Sequence, residues 1–259
     1  MLAEPPSGWA VERLGDVADW LSGGTPSTSE QRYWHGTIPW ITSGSLTTFY
    51  LRTSERRLTD EGVSNGSRLI PENSIVFVVR GMSLKSEFRI GIARRSLAFG
   101  QDCKGLLAHA GVDPMFLAYA IRGRSTEVLS MVDEAGHGTG RLATDRIKSL
   151  RIFLPPVTEQ RAIAEVLGAL DDKIECNTLI AGLLERRLAE LFTALNFDEL
   201  KGDLVRLDEL VELNPVRAKP RATVAPYIDM AALPTESALV AVPNTRPQSR
   251  GHGSSMATR

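Results

Sequence analysis

A chain of 259 residues, 42% hydrophobic and 24% charged, has the composition of an ordinary soluble globular protein and length for one or two domains. Its formal net charge of −1 gives no global signature of a nucleic-acid binder. Its two cysteines, Cys103 and Cys176, stand in no CxxC spacing and support neither a disulfide framework nor a structural zinc site. No run approaches the roughly 18 apolar residues of a membrane span, and MLAEPPSGWAVERL lacks the basic and apolar regions of a signal peptide, so the expectation is a cytoplasmic protein.

The first region, 1–157, reads as mixed α+β. Leu14, Val17, Ala18 and Leu21 fall at helical spacing and predict a short amphipathic helix over Val11–Leu21. It stops at Ser22-Gly23-Gly24-Thr25-Pro26, where glycines permit close backbone approach. Tyr33–Ile41 predicts a turn entering a strand and ends in the small polar run Thr42-Ser43-Gly44-Ser45. Runs rich in β-branched residues predict strands at Ser74–Arg80, Phe88–Ala93 and Lys104–Ala108. A helix is expected from Pro114 to Val132, capped by Asp113 with Pro114 at its first position. Glu134–Arg141 reads as a loop, Asp145–Leu150 as a helical turn, and Arg151–Leu154 as a last strand stopped by Pro155-Pro156.

The second region, 158–198, is one long helix interrupted by no breaker but Gly168 and Gly182. Ile163, Leu167, Leu170, Ile174, Asn177, Ala181, Leu184, Leu188, Leu191 and Leu195 follow steps of four and three, the seam of a coiled coil. Such a rod is roughly 55 Å long at 1.5 Å per residue and cannot bury its own seam. Paired antiparallel with a second copy, residues whose numbers sum to 358 face each other. Ile163 then meets Leu195, Leu170 meets Leu188, and Asn177 meets the small Ala181. The same seam would accept a companion helix or another subunit. The rod is also acidic: residues 159–200 carry 4 Lys and Arg against 9 Asp and Glu, whereas 1–158 carry 18 against 16 and 201–259 carry 8 against 6. The mildly basic flanks permit nucleic-acid binding without demonstrating it.

The third region, 199–259, reads as a restart. After the polar joint Asn196–Asp203, Arg206-Leu207-Asp208-Glu209-Leu210 resembles Arg13-Leu14-Gly15-Asp16-Val17, and Ala225-Pro226-Tyr227-Ile228 resembles Ile38-Pro39-Trp40-Ile41. Two matches in the same order predict a duplicated domain, the second copy being truncated, too short to rebuild the first copy's core and loosely ordered toward Gly251–Ser255.

No catalytic set emerges. Gly136-His137-Gly138-Thr139-Gly140 mimics a phosphate loop but follows a predicted helix in place of a strand. Pro155-Pro156 lacks the flanking residues of an amino-methyltransferase motif. Cys103 with His109 would make a nucleophile and base, though a buried structural cysteine uses the same residue. The four histidines and the carboxylates show no metal spacing, and no cofactor is expected on this chain.

DNA contacts are the positive candidates. Gly23, Gly24, Thr25 and Ser27 offer backbone N–H and hydroxyl donors suited to phosphates, although a plain helix-to-strand turn would look the same. Ser43 and Ser45 form a similar loop. Arg80, Lys85 and Arg89 surround Gly81-Met82-Ser83, a predicted hairpin tip that is either groove-directed or simply solvated. Gln101 can pair bidentately with adenine, and Arg141, beside Thr139 and Gly140, with guanine.

Leu154-Pro155-Pro156, Glu159-Gln160-Arg161-Ala162-Ile163-Ala164 and Leu170-Asp171-Asp172-Lys173-Ile174, together with GWAVERLGDVADWLSGGTPS (8–27) and IPWITSGSL (38–46), resemble the specificity subunit of type I restriction-modification enzymes. The resemblance covers 8–200 and, less fully, 201–234. It implies a target recognition domain reading one half of a split double-stranded DNA sequence, a helix fixing the half-site spacing, and no catalytic centre. It also implies methyltransferase subunits using S-adenosylmethionine, endonuclease subunits using ATP, and Gln and Gly-Thr segments near DNA. The rival reading is a stand-alone coiled-coil interaction protein or inhibitor that reads no DNA.

Overall fold

Ile75-Val76-Phe77-Val78 contains no polar position, so a strand made from it must be covered on both faces. It is: all four residues are buried at the centre of a sheet. The computed structural model describes residues 5–135, 138–194, 224–227 and 244–247. Its elements in chain order begin with β1 (Ala10–Arg13), β2 (Ala18–Ser22), β3 (Trp34–Ile41), β4 (Tyr50–Leu51), β5 (Arg57–Leu58), α1 (Asp60–Ser64) and β6 (Leu69–Ile70). Then follow β7 (Ile75–Val78), β8 (Arg80–Gly81), β9 (Ile90–Ala93), β10 (Leu97–Phe99), β11 (Cys103–Ala108), α2 (Pro114–Arg122) and α3 (Ser125–Ser130). The rest are β12 (Val132–Ala135), β13 (Thr139–Leu142), α4 (Thr144–Lys148), β14 (Arg151–Leu154), α5 (Val157–Ala194), β15 (Val224–Tyr227) and β16 (Asn244–Pro247).

The chain divides into two units, Met1–Lys173 and Ile174–Arg259. In the first, a five-stranded sheet of order β2-β11-β7-β9-β4 and a four-stranded sheet of order β5-β3-β10-β6 share a core that includes Phe77, Phe99, Ile41, Leu51 and Ile92. Helix α2 lays Phe116, Leu117 and Ile121 into that core, with Asp113 accepting from Phe116 N–H as the expected cap. The α+β expectation holds.

Three local expectations do not. Val11–Leu21 is two strands joined by a 3₁₀ turn at Leu14–Asp16. Leu14 and Ala18 are buried as a helix face would be, but β1 pairs antiparallel with β14, Ala10 opposite Leu154 and Arg13 opposite Arg151. Long-range pairing overrides the local period. The helix expected over Pro114–Val132 divides into α2 and α3 around Gly123, whose N–H closes on Tyr119 O. The loop expected at Glu134–Arg141 is the hairpin β12–β13, with Gly138 at φ +73° near its turn. The Gly81-Met82-Ser83 tip is also re-drawn. Arg80-Gly81 leaves the β7–β9 pair to join β13, and Met82–Lys85 forms a 3₁₀ turn that buries Leu84.

Helix α5 starts directly after Pro155-Pro156, and its first turns belong to the first unit. Gln160 is 2% exposed: its Oε1 accepts from Asp113 N–H at 2.8 Å, and its Nε2 donates to Pro155 O at 2.8 Å and Gly111 O at 3.3 Å. Three turns on, Asp171 accepts from Tyr119 OH at 2.9 Å and pairs with Arg122 at 2.8 Å. Burial, with hydrogen bonds to Tyr50 and Asp171, pushes the Tyr119 phenol well above its ordinary pKa.

In the second unit, β15 pairs antiparallel with β16, Pro226 opposite Thr245. In the first unit β3 pairs antiparallel with β5, Pro39 opposite Arg57. The segment matched to Ile38–Ile41 by sequence therefore makes the same kind of pair at nearly the same spacing. Leu195, the joint Asn196–Asp203, the Arg206–Leu210 copy, Ile228, Gly136-His137 and the tail Gly251–Ser255 lie outside the described residues.

Candidate nucleic-acid interface

Three of the sequence-selected residues come together. Arg80, Gln101 and Arg141 line one groove of about 340 Å³ with Asp102, Lys104 and Thr144. Strand pairing builds it: Arg80 on β8 lies directly opposite Arg141 on β13, and the turn before β11 is pinned because Val79 N–H and Arg80 N–H both donate to Asp102 O, at 2.8 and 3.2 Å. Lys104 enters from β11, its Nζ donating to Ser22 Oγ at 2.6 Å. Three cations thus surround one carboxylate. Like charges set directly opposite across a strand pair destabilise it, and among the described residues neither arginine makes an ion pair. A site of this make-up gains most from a polyanion, and exposed guanidiniums suit phosphate and guanine edges alike.

Neighbouring segments extend the basic face. Lys85 Nζ lies against Gly138 at the hairpin turn, and half-buried Thr139 stands on β13. Arg89 pairs with Glu87 at 2.8 Å and its Nη1 donates to Ser43 O and Gly44 O at 3.4 and 3.5 Å. Ser43 in turn lies beside Gly81. Ser45 spends its hydroxyl on its own turn, accepting from Thr42 N–H at 2.8 Å while Ser45 N–H donates to Thr42 Oγ1.

The glycine turn is a correction. Gly24 N–H donates to Phe99 O at 3.0 Å and Gly24 O accepts from Trp40 Nε1–H, so the Gly24 N–H is spent within the protein and is not the phosphate donor expected of it. A Cβ at Gly23 would sit 2.4 Å from Phe99 O, and one at Gly24 2.3 Å from Gly66 O; both glycines serve close packing. Thr25 is exposed, whereas Ser27 Oγ is bonded to Ser29 Oγ; neither lines the groove.

Residues 6–186 match the family model described as the type I restriction modification DNA specificity domain. The chain belongs to that family. It is 29% identical over 199 residues to the specificity subunit of the type I restriction enzyme EcoR124I/EcoR124II of Escherichia coli, covering 74% of this chain and 49% of that protein. Identity to the MjaIX specificity subunit of Methanocaldococcus jannaschii is also 29%, over 212 residues, 79% of this chain and 48% of the relative. The type I restriction-modification S subunit of M. genitalium shares the fold, with a TM-score of 0.54 at 17% identity over 78% of this chain and 49% of the other. The chain spans about half the length of the curated relatives it matches.

Within this specificity domain, sequence reading passed over Lys104 and Thr144. In the sequence Lys104 opens a predicted strand, and nothing local places it in a groove with Arg80. The catalytic pairing of Cys103 and His109 fails. Cys103 is fully buried, and burial with Asp102 nearby pushes its thiol up to about 12. His109 is engaged elsewhere, its ring nitrogens 3.1 Å from Asp16 O and 3.1 Å from Asp19. Thr139-Gly140 lies in a strand, not in a phosphate loop.

The helix seam splits by position. Ile163 and Leu167 are half-buried at the base of α5, lining an apolar groove with Trp9, Phe116, Ile152 and Phe153. Leu170, Ile174, Asn177, Ala181, Leu184, Leu188 and Leu191 are exposed. Ten of the twelve large exposed hydrophobics among the described residues lie on α5, so this helix carries most of the exposed large apolar side chains found there.

Proposed function

We propose that this chain is the DNA sequence-recognition subunit of a type I restriction-modification system, without a catalytic centre of its own. Residues 1–157 form a recognition domain reading one half of a bipartite duplex target. Residues 158–198 form the spacer and assembly helix, and 199–259 open a second recognition domain. Methylation and cleavage then belong to methyltransferase and endonuclease subunits, with S-adenosylmethionine and ATP on those partners.

The observation that carries this reading is the groove in which Arg80, Gln101, Lys104 and Arg141 converge from three separate stretches of a chain that belongs to the DNA specificity family. Support for the second domain is the β15–β16 pair, which repeats the pairing of β3 with β5. The test is selection from a degenerate duplex library across a salt series, with and without methyltransferase subunits. Enrichment of an interrupted sequence is expected, with log K falling linearly against log salt. No enrichment in either condition favours a stand-alone coiled-coil interaction protein.

A finer reading concerns assembly. The exposed seam fits a second copy lying antiparallel, and two-fold symmetry then requires a palindromic target. A methyltransferase subunit or a companion helix is the competing occupant.

A further inference from the structure

We infer that a second groove, lined by Thr42, Ser45, Thr47, Thr48, Thr53 and Arg56, binds the phosphate backbone of the same DNA; this rests on the reading of the chain as a DNA-recognition subunit. The groove measures about 540 Å³ and has Trp40 as its floor.

Arg56 is placed in it by the fold. Ser54 Oγ donates to Trp40 O at 2.9 Å, and Trp40 N–H donates to Arg56 O at 3.0 Å, so residues 54–56 are fastened to β3. The guanidinium then lies over two indoles, 4.1 Å from the Trp34 ring centre and 4.7 Å from that of Trp40. Those rings meet edge to face at 5.2 Å, and their N–H groups are anchored on Ser27 O and Gly24 O, both at 3.1 Å. Cation–π contact holds the guanidinium without using its N–H groups, and Arg56 is exposed, so those donors stay available to phosphate oxygens. Threonine hydroxyls are neutral partners such oxygens take. Those of Thr42, Ser45 and Thr48 are already bonded within the protein, whereas Thr53 Oγ1 only accepts, from Arg57, and keeps its O–H to donate. Among the described residues the one carboxylate lining it is Glu55, which makes no ion pair with Arg56.

The two grooves adjoin. Thr42, Gly44 and Ser45 line the hydroxyl groove. Ser43, within the same loop, packs beside Gly81, the residue after Arg80 of the arginine groove, and Arg89 bridges that loop from below through Ser43 O and Gly44 O. A duplex seated on Arg80 and Arg141 therefore crosses the loop toward Arg56. The division of labour follows: base edges at the arginine groove, backbone at Arg56.

The full chain is tested with the duplex that the library selects, using Arg56→Ala, Arg56→Lys and Glu55→Gln across a salt series. For Arg56→Ala the slope of log K against log salt falls by about 0.9, the loss of one phosphate contact, and matched and mismatched duplexes weaken alike. Arg56→Lys keeps the wild-type slope, and Glu55→Gln binds more tightly at low salt. Tryptophan fluorescence checks that each variant is folded. An Arg56→Ala slope equal to wild type, while Arg141→Ala loses binding, overturns the inference, as does a changed target sequence. A wild-type chain that shows no salt-dependent DNA binding overturns the parent reading along with it.

Discussion

Replacing Gln160 with Leu removes the polar peg that holds the base of α5 in the first unit. The side chain is 2% exposed and makes three hydrogen bonds, accepting from Asp113 N–H and donating to Pro155 O and Gly111 O. Leucine is close in volume, so little cavity is added. The loss is that of a buried N–H and a buried carbonyl left without partners, each costing about 1–3 kcal/mol. The weaker 3.3 Å bond to Gly111 adds little. Destabilisation of about 2–6 kcal/mol is expected, a fall in melting midpoint of roughly 4–24 °C for a unit of this size. Glu159→Ala on the exposed side of the same turn should stay within about 0.5 kcal/mol. All four tryptophans, Trp9, Trp20, Trp34 and Trp40, lie in the first unit, so urea unfolding followed by tryptophan emission reports this unit selectively. A Gln160→Leu change under about 0.5 kcal/mol would refute the peg and leave the anchor to Ala164, the apolar contacts and the bonds of Asp171 to Tyr119 and Arg122.

Arg141→Ala should weaken the selected duplex by about 1–3 kcal/mol and relax preference at one base pair, whereas Lys104→Ala should weaken all sequences alike; footprinting plus reselection separates the two. Leu170→Glu with Leu188→Glu should abolish assembly in sedimentation while the tryptophan-detected transition persists. In the self-paired register Lys173 flanks Arg187 and Asp171 flanks Glu185, so added salt should tighten a dimer of two copies; weakening by salt would point to a charged partner instead. Cys103 has its pKa raised from 9.0 to about 12, so at pH 8 the folded state holds it as a buried neutral thiol. One thiol per chain, the exposed Cys176, should react with a disulfide reagent, the second appearing only on unfolding. Two fast thiols in the folded protein would contradict the burial of β11.

The parts of the fold that could be read from the sequence are those whose local pattern and tertiary environment agree. Ile75–Val78 and Cys103–Ala108 are strands by composition and are buried as composition demands. Asp113-Pro114 starts a helix because cap and ring geometry act within four residues. Leu14, Val17 and Ala18 misled because strand, 3₁₀ turn and strand can bury the same i, i+3, i+4 set as a helix; the deciding partner, Arg151–Leu154, is distant in sequence. Two-residue strands such as Tyr50–Leu51 and Leu69–Ile70 are too short to show any period. Of the site, Arg80 and Arg141 are marked by the glycine-containing segments beside them and Gln101 by its capacity to pair with adenine, but their meeting depends on β8 and β13 pairing across a long separation. Gly23-Gly24 showed the opposite failure. A glycine pair announces close approach but not to what, and here the neighbour is protein backbone.

The pairing of β15 with β16 bears on why α5 stands where it does in the sequence. A proline inside a strand has no N–H to give the ladder, so its register is constrained by what the partner can leave unpaired. Pro39 meets Arg57 and Pro226 meets Thr245, a one-residue difference in spacing, in segments already matched by sequence as Ile38–Ile41 and Ala225–Ile228. An unrelated strand pair has no reason to reproduce both the proline and its register. The proposed duplication accounts for both together, with β3 and β5 before α5 in the chain and β15 and β16 after it. On the proposed reading, in which α5 separates two copies of a recognition element, the helix need supply no contact to DNA. Its length and its seam are what such a position calls on, and these are the properties that Leu170 through Leu191 provide.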